Sequence, residues 1–202
     1  MLDLIKDFEI SSDLRENVAA FLIHHNCPVE SKHSLDVGKL AGELAVRFNV
    51  DETIAQQAGW LHDISRVFPK NKWLEISKSL ELDILPLEKE APVLLHQKLS
   101  VVLAKEIFHI QDEGVLSAIG CHTTLKAGAS PLDQVVFLAD KLGWRPEGPR
   151  PYVDKLLADL EVSLDEAVWG FQNGLLHSGK IKTPHPWMHE SYIELSKKLN
   201  KS

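Results

Sequence analysis

Three observations predict an all-α fold, a single helical bundle, for this 202-residue chain. Apolar residues recur at three- and four-residue spacing along most of its length. Prolines and small polar residues stand at the ends of those periodic stretches, where helices start and stop. No strand pair, internal repeat or low-complexity segment emerges. Hydrophobic residues make up 44% of the chain and charged residues 25%, enough for one well-cored domain.

The elements follow in order. Ser11 and Ser12 are candidate caps for a first helix to about His24, ended by Asn26-Cys27-Pro28. Val37, Leu40, Ala41, Leu44, Ala45 and Phe48 form the buried stripe of a second. Asp51 caps a third, which runs through Ile54, Ala55 and Ala58 into Leu61-His62-Asp63. A loop with Pro69 and a short segment from Lys72 to Leu80 come next, and Pro86 and Pro92 punctuate the middle. A long helix is predicted from about Val93 to Phe108, and another over Glu113 to Cys121. Between Pro131 and Lys141 the run Val135-Val136-Phe137-Leu138-Ala139 has the length of a buried strand, but Pro131 after Ser130 favours a helical first turn. Helices over Pro151 to Leu160 and Leu164 to His177, the latter capped by Ser163, precede a loop from Ser178 to Trp187 and a last helix near Glu190 to Leu199.

The net charge of −7 argues against a non-specific nucleic-acid binder, which needs a basic face. Two cysteines without a CxxC build no disulfide framework and suggest a reducing compartment. No secretory h-region and no apolar run long enough to span a bilayer is evident, so the expected location is cytoplasmic, with no membrane partner. The absence of GxxxxGK[ST] argues against a P-loop motor.

The chemistry lies in five spaced positions: His33, the pair His62-Asp63, His96, His122 and Asp140. His33 stands four before Val37, and His62 four after Ala58. His96 lines up with Leu99 and Leu103, His122 with Val115 and Ile119, and Asp140 with Val136. Taken alone, each histidine reads first as a hydrogen-bonded core side chain, and Asp140 as a helix-end residue. Their repetition on five helices points instead to a shared cation, because burying unpaired ionisable groups costs several kcal/mol. Imidazole with carboxylate, and no thiolate, suits a transition metal. His24-His25, His109 and His177 read as helix-end residues, and His185 and His189 as structural or solvent-facing.

The ordered set resembles the HD-domain metal phosphohydrolases. The stretches His33-Ser34-Leu35-Asp36-Val37, Ala58-Gly59-Trp60-Leu61-His62-Asp63, Leu95-His96, Cys121-His122-Thr123-Thr124, Leu138-Ala139-Asp140-Lys141, and Gly179-Lys180 with His185-Pro186 are similar to the YqeK-like symmetrical bis(5′-nucleosyl)-tetraphosphatases. The resemblance implies one HD-type helical-bundle domain over 1–202, with a metal-ligand core at about 30–142 and a helical C-terminal extension at 150–202. It implies two divalent transition metals, iron by preference and manganese as the alternative. One would be held by His33, His62, Asp63 and Asp140, and Asp63 would bridge to a second held by His96 and His122.

The implied reaction splits diadenosine tetraphosphate, a small nucleotide substrate, into two ADP by attack of a metal-bridging hydroxide. Asp63 and Arg66 are the expected catalytic residues. Arg66, Lys70, Thr123, Thr124, Arg145 and Arg150 are candidates to contact the phosphates. Arg66 and Lys70 read equally as surface charge, and the threonines as a helix C-terminal turn. Lys141 to Arg150 departs from the Glu-Pro element that the family carries after its last metal aspartate, so either Arg145 or Arg150 could replace the family's arginine, and Trp144 could stack on a base or pack on the body. Another nucleotide or phosphate ester as substrate, or a non-catalytic metal- or nucleotide-binding sensor, are the alternative readings. Monomer and homodimer are both compatible with the sequence.

Overall fold

The computed structural model describes residues 8, 10–143 and 150–201. Among these there is no strand. The helices are α1 (Leu14–His24), α2 (Pro28–Arg47), α3 (Glu52–Leu61), α4 (Trp73–Ser79), α5 (Pro86–Glu90), α6 (His96–Glu106), α7 (Glu113–Cys121), α8 (Pro131–Gly143), α9 (Tyr152–Leu160), α10 (Leu164–Leu176) and α11 (Pro186–Lys198). Short 3₁₀ turns at Ile64–Val67, Lys70–Lys72 and Pro92–Leu95 join some of them. No described helix is long and apolar enough to cross a membrane.

The bundle is built around α8, whose residues from Asp133 to Ala139 are buried on every side. That all-round burial explains why its sequence looked strand-like: a central helix need not be amphipathic. The hairpin of α2 and α3 packs on one side of it and α7 on another, with α6 against α7. The predicted stripes all lie inward: Val37, Ala41 and Ala45 from α2, Ala55, Ala58 and Leu61 from α3, Leu99 and Leu103 from α6, and Val115 and Ile119 from α7. α10 packs on α8 and carries α9 and α11.

Two glycines set how closely α2 and α3 approach. A Cβ on Gly59 would stand 2.7 Å from the Cα of Gly38, and the Trp60 ring lies where a Gly38 side chain would be. This contact matters because α2 carries His33 and α3 leads into His62.

Several boundaries differ from expectation. Asp13, not Ser11 or Ser12, caps α1 by accepting from the Glu16 amide, while Ser11 bonds Asn17. The helix expected over Val93–Phe108 is broken, with a 3₁₀ turn at Pro92–Leu95 and α6 only from His96. Pro92 tolerates the first position of a turn but donates no amide, so the chain starts there in the tighter form. The last helix starts at Pro186 rather than near Glu190, because the His185 ring accepts from the Trp187 amide and caps it. His185 is buried, its Nε2 3.4 Å from Glu88, a carboxylate that also pairs with Lys98 at 2.7 Å. The segment after Pro186 is thereby tied to α5 and α6.

Candidate metal centre

Three histidines share one local design. His62 and His122 stand just past the last residues of α3 and α7, and His96 opens α6. In each, ring Nδ1 lies against the carbonyl three residues back: Gly59 at 2.7 Å, Ile119 at 2.8 Å and Val93 at 2.5 Å. Carbonyls in a helix's last turn lack intrahelical partners, so a donor there fills a need of the backbone itself. A carbonyl can only accept, which puts the proton on Nδ1 and turns the Nε2 lone pair inward.

Those inward nitrogens converge with two carboxylates. His62 Nε2 lies 3.2 Å from His33 Nε2, 3.5 Å from Asp140 Oδ1 and 3.8 Å from Asp63 Oδ2. His33 Nε2 is 3.2 Å from Asp140 Oδ1. On the other side, His96 Nε2 is 3.1 Å from His122 Nε2 and 3.5 Å from Asp63 Oδ1, which is 3.8 Å from His122 Nε2. Three sets have ligand atoms close enough to hold an ion: His33, His62, Asp63; Asp63, His96, His122; and His62, His122, Asp140. The first two share only Asp63, and the third crosses between them.

The donor set fits a cation. With Nδ1 protonated on both rings, neither His96 nor His122 has a proton to place between their facing Nε2 atoms. Asp63 Oδ1 is buried and makes no well-formed hydrogen bond, although Arg66 Nε lies 2.9 Å away. Nitrogen and carboxylate oxygen without sulfur suit a divalent transition metal.

The surroundings separate the remaining candidates. A cleft of about 290 Å³ opens over the cluster, lined by Asp63, Arg66, His96, His122, Thr123, Asp140 and Lys141, with Val93 and Leu94 beside them. Arg66 sits in the turn after Asp63 with its guanidinium 5.4 Å over the Trp73 ring. Thr123 Oγ1 lies 2.9 Å from His96 Nε2. Thr124 is buried against Gln97 and does not line the cleft. Lys70 is exposed beyond Pro69 and away from the cleft lining. Arg150 donates to the Leu142 carbonyl at 2.8 Å and lines a neighbouring cavity. Trp144 and Arg145 lie outside the described residues.

Burial and mutual charge set the protonation of the cluster. Burial pushes His96 down to about 4, with Arg66 adding to it against the pull of Asp63. Burial, then His62 and His96, hold His122 well below the ordinary value. His62 goes the other way: burial lowers it, but Asp63 and Asp140 outweigh that and raise it. Burial opposes ionisation of both carboxylates, yet His62, His96 and Arg66 keep Asp63 low, and Lys141, His33 and His62 do the same for Asp140.

A pH dependence follows. A base whose folded pKa lies below its unfolded value stabilises the fold above the unfolded pKa and loses that contribution as pH falls toward the folded one. For His96 the window runs from 6.5 down to about 4. His62, raised, works oppositely: its contribution is full below 6.5 and lost as pH rises through its folded value. Two depressed imidazoles outweigh one raised, and the carboxylates matter only below 3.8. Chelator-treated protein is therefore expected to be less stable to urea at pH 5 than at pH 7.5, with a smaller fall in His96→Gln. Equal stability at the two pH values would refute this.

The family comparison decides the wider assignment. The HD domain profile matches residues 31–144, more than half of the chain.

The chain belongs to the HD domain family.

HD domains bind divalent metals, and all six ligand-type residues of this chain fall within the match. A Lactococcus lactis subsp. cremoris protein described as "Uncharacterized protein in pepC 5'region" is 39% identical over 151 residues, 75% of this chain and 77% of that one. The symmetrical bis(5'-nucleosyl)-tetraphosphatase of Bacillus subtilis (strain 168) is 30% identical over 136 residues, 67% of this chain and 72% of that enzyme. A crystal structure described as a predicted HD superfamily hydrolase involved in NAD metabolism, from Clostridium acetobutylicum, matches with a TM-score of 0.82 at 27% identity, covering 91% of this chain and 97% of that one. The chain is thus a member of the HD phosphohydrolase superfamily.

Sequence reasoning missed two residues of this HD site. Lys141 reaches Asp140 Oδ2 at 2.7 Å and the His122 carbonyl at 3.1 Å, tying two ligand-bearing segments together. Gln97, fully buried beside His96, accepts from the Thr123 amide at 3.2 Å and donates to Thr124 Oγ1 at 3.1 Å. The signal for Gln97 was a polar residue next to a ligand on a helix with few outward positions. Nothing local marked Lys141, since a lysine near a helix end ordinarily serves the dipole.

Proposed function

We propose that this protein hydrolyses diadenosine tetraphosphate symmetrically, taking up one water and releasing two ADP, with a pair of iron or manganese ions. The observation that carries the reading is that two three-ligand sets share only Asp63, which lines one open cleft together with His96, His122 and Asp140. His33, His62, Asp63 and Asp140 would hold one ion, and Asp63, His96 and His122 the other. An imidazole offers a metal one nitrogen, whereas a carboxylate has two oxygens, so the shared residue is the carboxylate. A pair of divalent cations supplies Lewis acidity toward phosphoryl oxygens and lowers the pKa of bound water.

The chain's own groups do the rest. Arg66, 2.9 Å from Asp63 Oδ1 and lining the cleft, places a fixed positive charge where phosphate oxygens gain negative charge. Thr123 offers a hydroxyl to the same space, and its amide is held by Gln97, so its position is set from behind. Val93 and Leu94 give the cleft an apolar rim that limits water around the phosphate chain. Among the described residues no serine or cysteine lines the cleft, so the residues present support direct attack by water. The choice of substrate is supported by the Bacillus subtilis relative, itself named a symmetrical bis(5'-nucleosyl)-tetraphosphatase.

The test is incubation of iron- or manganese-loaded protein with diadenosine tetraphosphate, with products resolved by chromatography. ADP as sole product is expected. AMP with ATP would reject the symmetric cut, and no turnover with either metal would reject the substrate.

A further inference from the structure

The cleft over the metal cluster is too small for the whole substrate proposed above. Its volume of about 290 Å³ falls below the ~300–1,000 Å³ typical of small-molecule sites. A dinucleoside polyphosphate brings two nucleosides as well as its phosphates, so it must extend beyond this space.

A larger cavity, of about 630 Å³, lies next to it. The residue lining both is Lys141, whose Nζ is 2.7 Å from Asp140 Oδ2. Two half-buried aromatic rings, Tyr152 and Phe171, stand edge to face in its wall with centroids 5.6 Å apart, beside the buried Leu156. Gly174 also lines it, and an added Cβ there would meet no heavy atom within 4 Å, so the space beside it is open. The exposed Lys180 also lines the cavity, following Gly179, whose φ of 71° favours glycine. Aromatic side chains with cations nearby are what a nucleobase and its phosphates call for.

We propose that this cavity receives one nucleoside half of the substrate, with the base against Tyr152 and Phe171 and the phosphates leading past Lys141 to the metal cluster. The assignment rests on the nucleotide reading above and names the residues that select for it. α9 and α10, which form the cavity, lie C-terminal to the stretch matched by the HD profile. The selectivity element is thus separate in sequence from the metal ligands.

The test is calorimetric titration of the manganese-loaded protein with ADP and, separately, with inorganic phosphate. Gly174→Trp fills the cavity and is expected to weaken ADP at least tenfold while leaving the affinity for inorganic phosphate unchanged. Lys180→Glu, on an exposed side chain that poses no folding problem, is expected to weaken ADP several-fold. ADP binding at wild-type affinity in both variants, or no ADP binding by the wild type, overturns the proposal. If the wild type fails to cleave diadenosine tetraphosphate yet ADP binding shows both losses, the nucleoside cavity stands and the substrate reading falls. Cleavage by the wild type without those losses has the opposite meaning.

Discussion

Replacing Asp63 by Asn is expected to leave a folded, helical protein that retains almost no metal and turns over at least about 10³-fold more slowly, a loss of roughly 4 kcal/mol in transition-state stabilisation. The change is isosteric, but it removes the one charge common to the two ligand sets. Its neighbours are imidazoles whose Nδ1 protons are committed to the backbone, so none of them can take over as a second anionic ligand. Elemental analysis after dialysis, circular dichroism and the steady-state rate check this together. A variant with wild-type metal content and rate would show that Asp63 does not join the two sets. Loss of helicity would mean that the carboxylate holds the fold rather than the metal.

Gly59→Ala is the second large effect, and it acts through packing. The new methyl carbon would stand 2.7 Å from Gly38 Cα, 3.0 Å from its nitrogen and 3.1 Å from the Val37 carbonyl. All three are backbone atoms, so no side chain can rotate away and the two helices must part. Overpacking of this kind costs about 2–3 kcal/mol, which for a chain of this size lowers the melting temperature by roughly 5–10 °C. The same shift separates α2 from α3, so the 3.2 Å approach of His33 to His62 is lost and metal affinity falls with it. Gly174→Ala is the internal control. It meets nothing, and at an exposed position in the last turn of α10 it is expected to stabilise by up to about 1 kcal/mol. Thermal melts of the two metal-free variants should therefore move in opposite directions. An unchanged melt for Gly59→Ala would show that the helices have slack this contact does not reveal.

Much of this protein was legible in one dimension. Stripes at three- and four-residue spacing identified most of the helices because burial acts on one face of them, α8 being buried all round, and Asp51 and Ser163 cap where expected because a short acceptor before an apolar stripe has little else to do. The metal-type residues were found by the same periodicity, since they extend stripes otherwise made of carbon. Boundaries were less legible where a side chain's partner lies far away in sequence. The helix from Pro186 starts earlier than its sequence suggests because the His185 ring, which accepts from the Trp187 amide, is held in place by Glu88, a residue nearly a hundred positions away. The break before His96 was hidden because Leu94 and Leu95 are good helix formers that continue the stripe of Leu99, while Pro92 starts the segment in a tighter turn.

Sequence by itself determined the composition of the His/Asp cluster, because which side chains carry nitrogen or carboxylate at inward positions is a matter of residue type and helical period. Only the tertiary structure decided the arrangement. His33 approaches His62 while His96 approaches His122, Thr123 faces the cleft while Thr124 turns into the core, and Lys141 rather than Lys70 stands at the cleft's edge. The physical reason is that spacing along a helix states the direction of a side chain about its own axis. Distances of 3 to 4 Å between atoms on different helices depend on how those axes are packed. Here that packing is set by a glycine contact between α2 and α3 and by the buried helix α8.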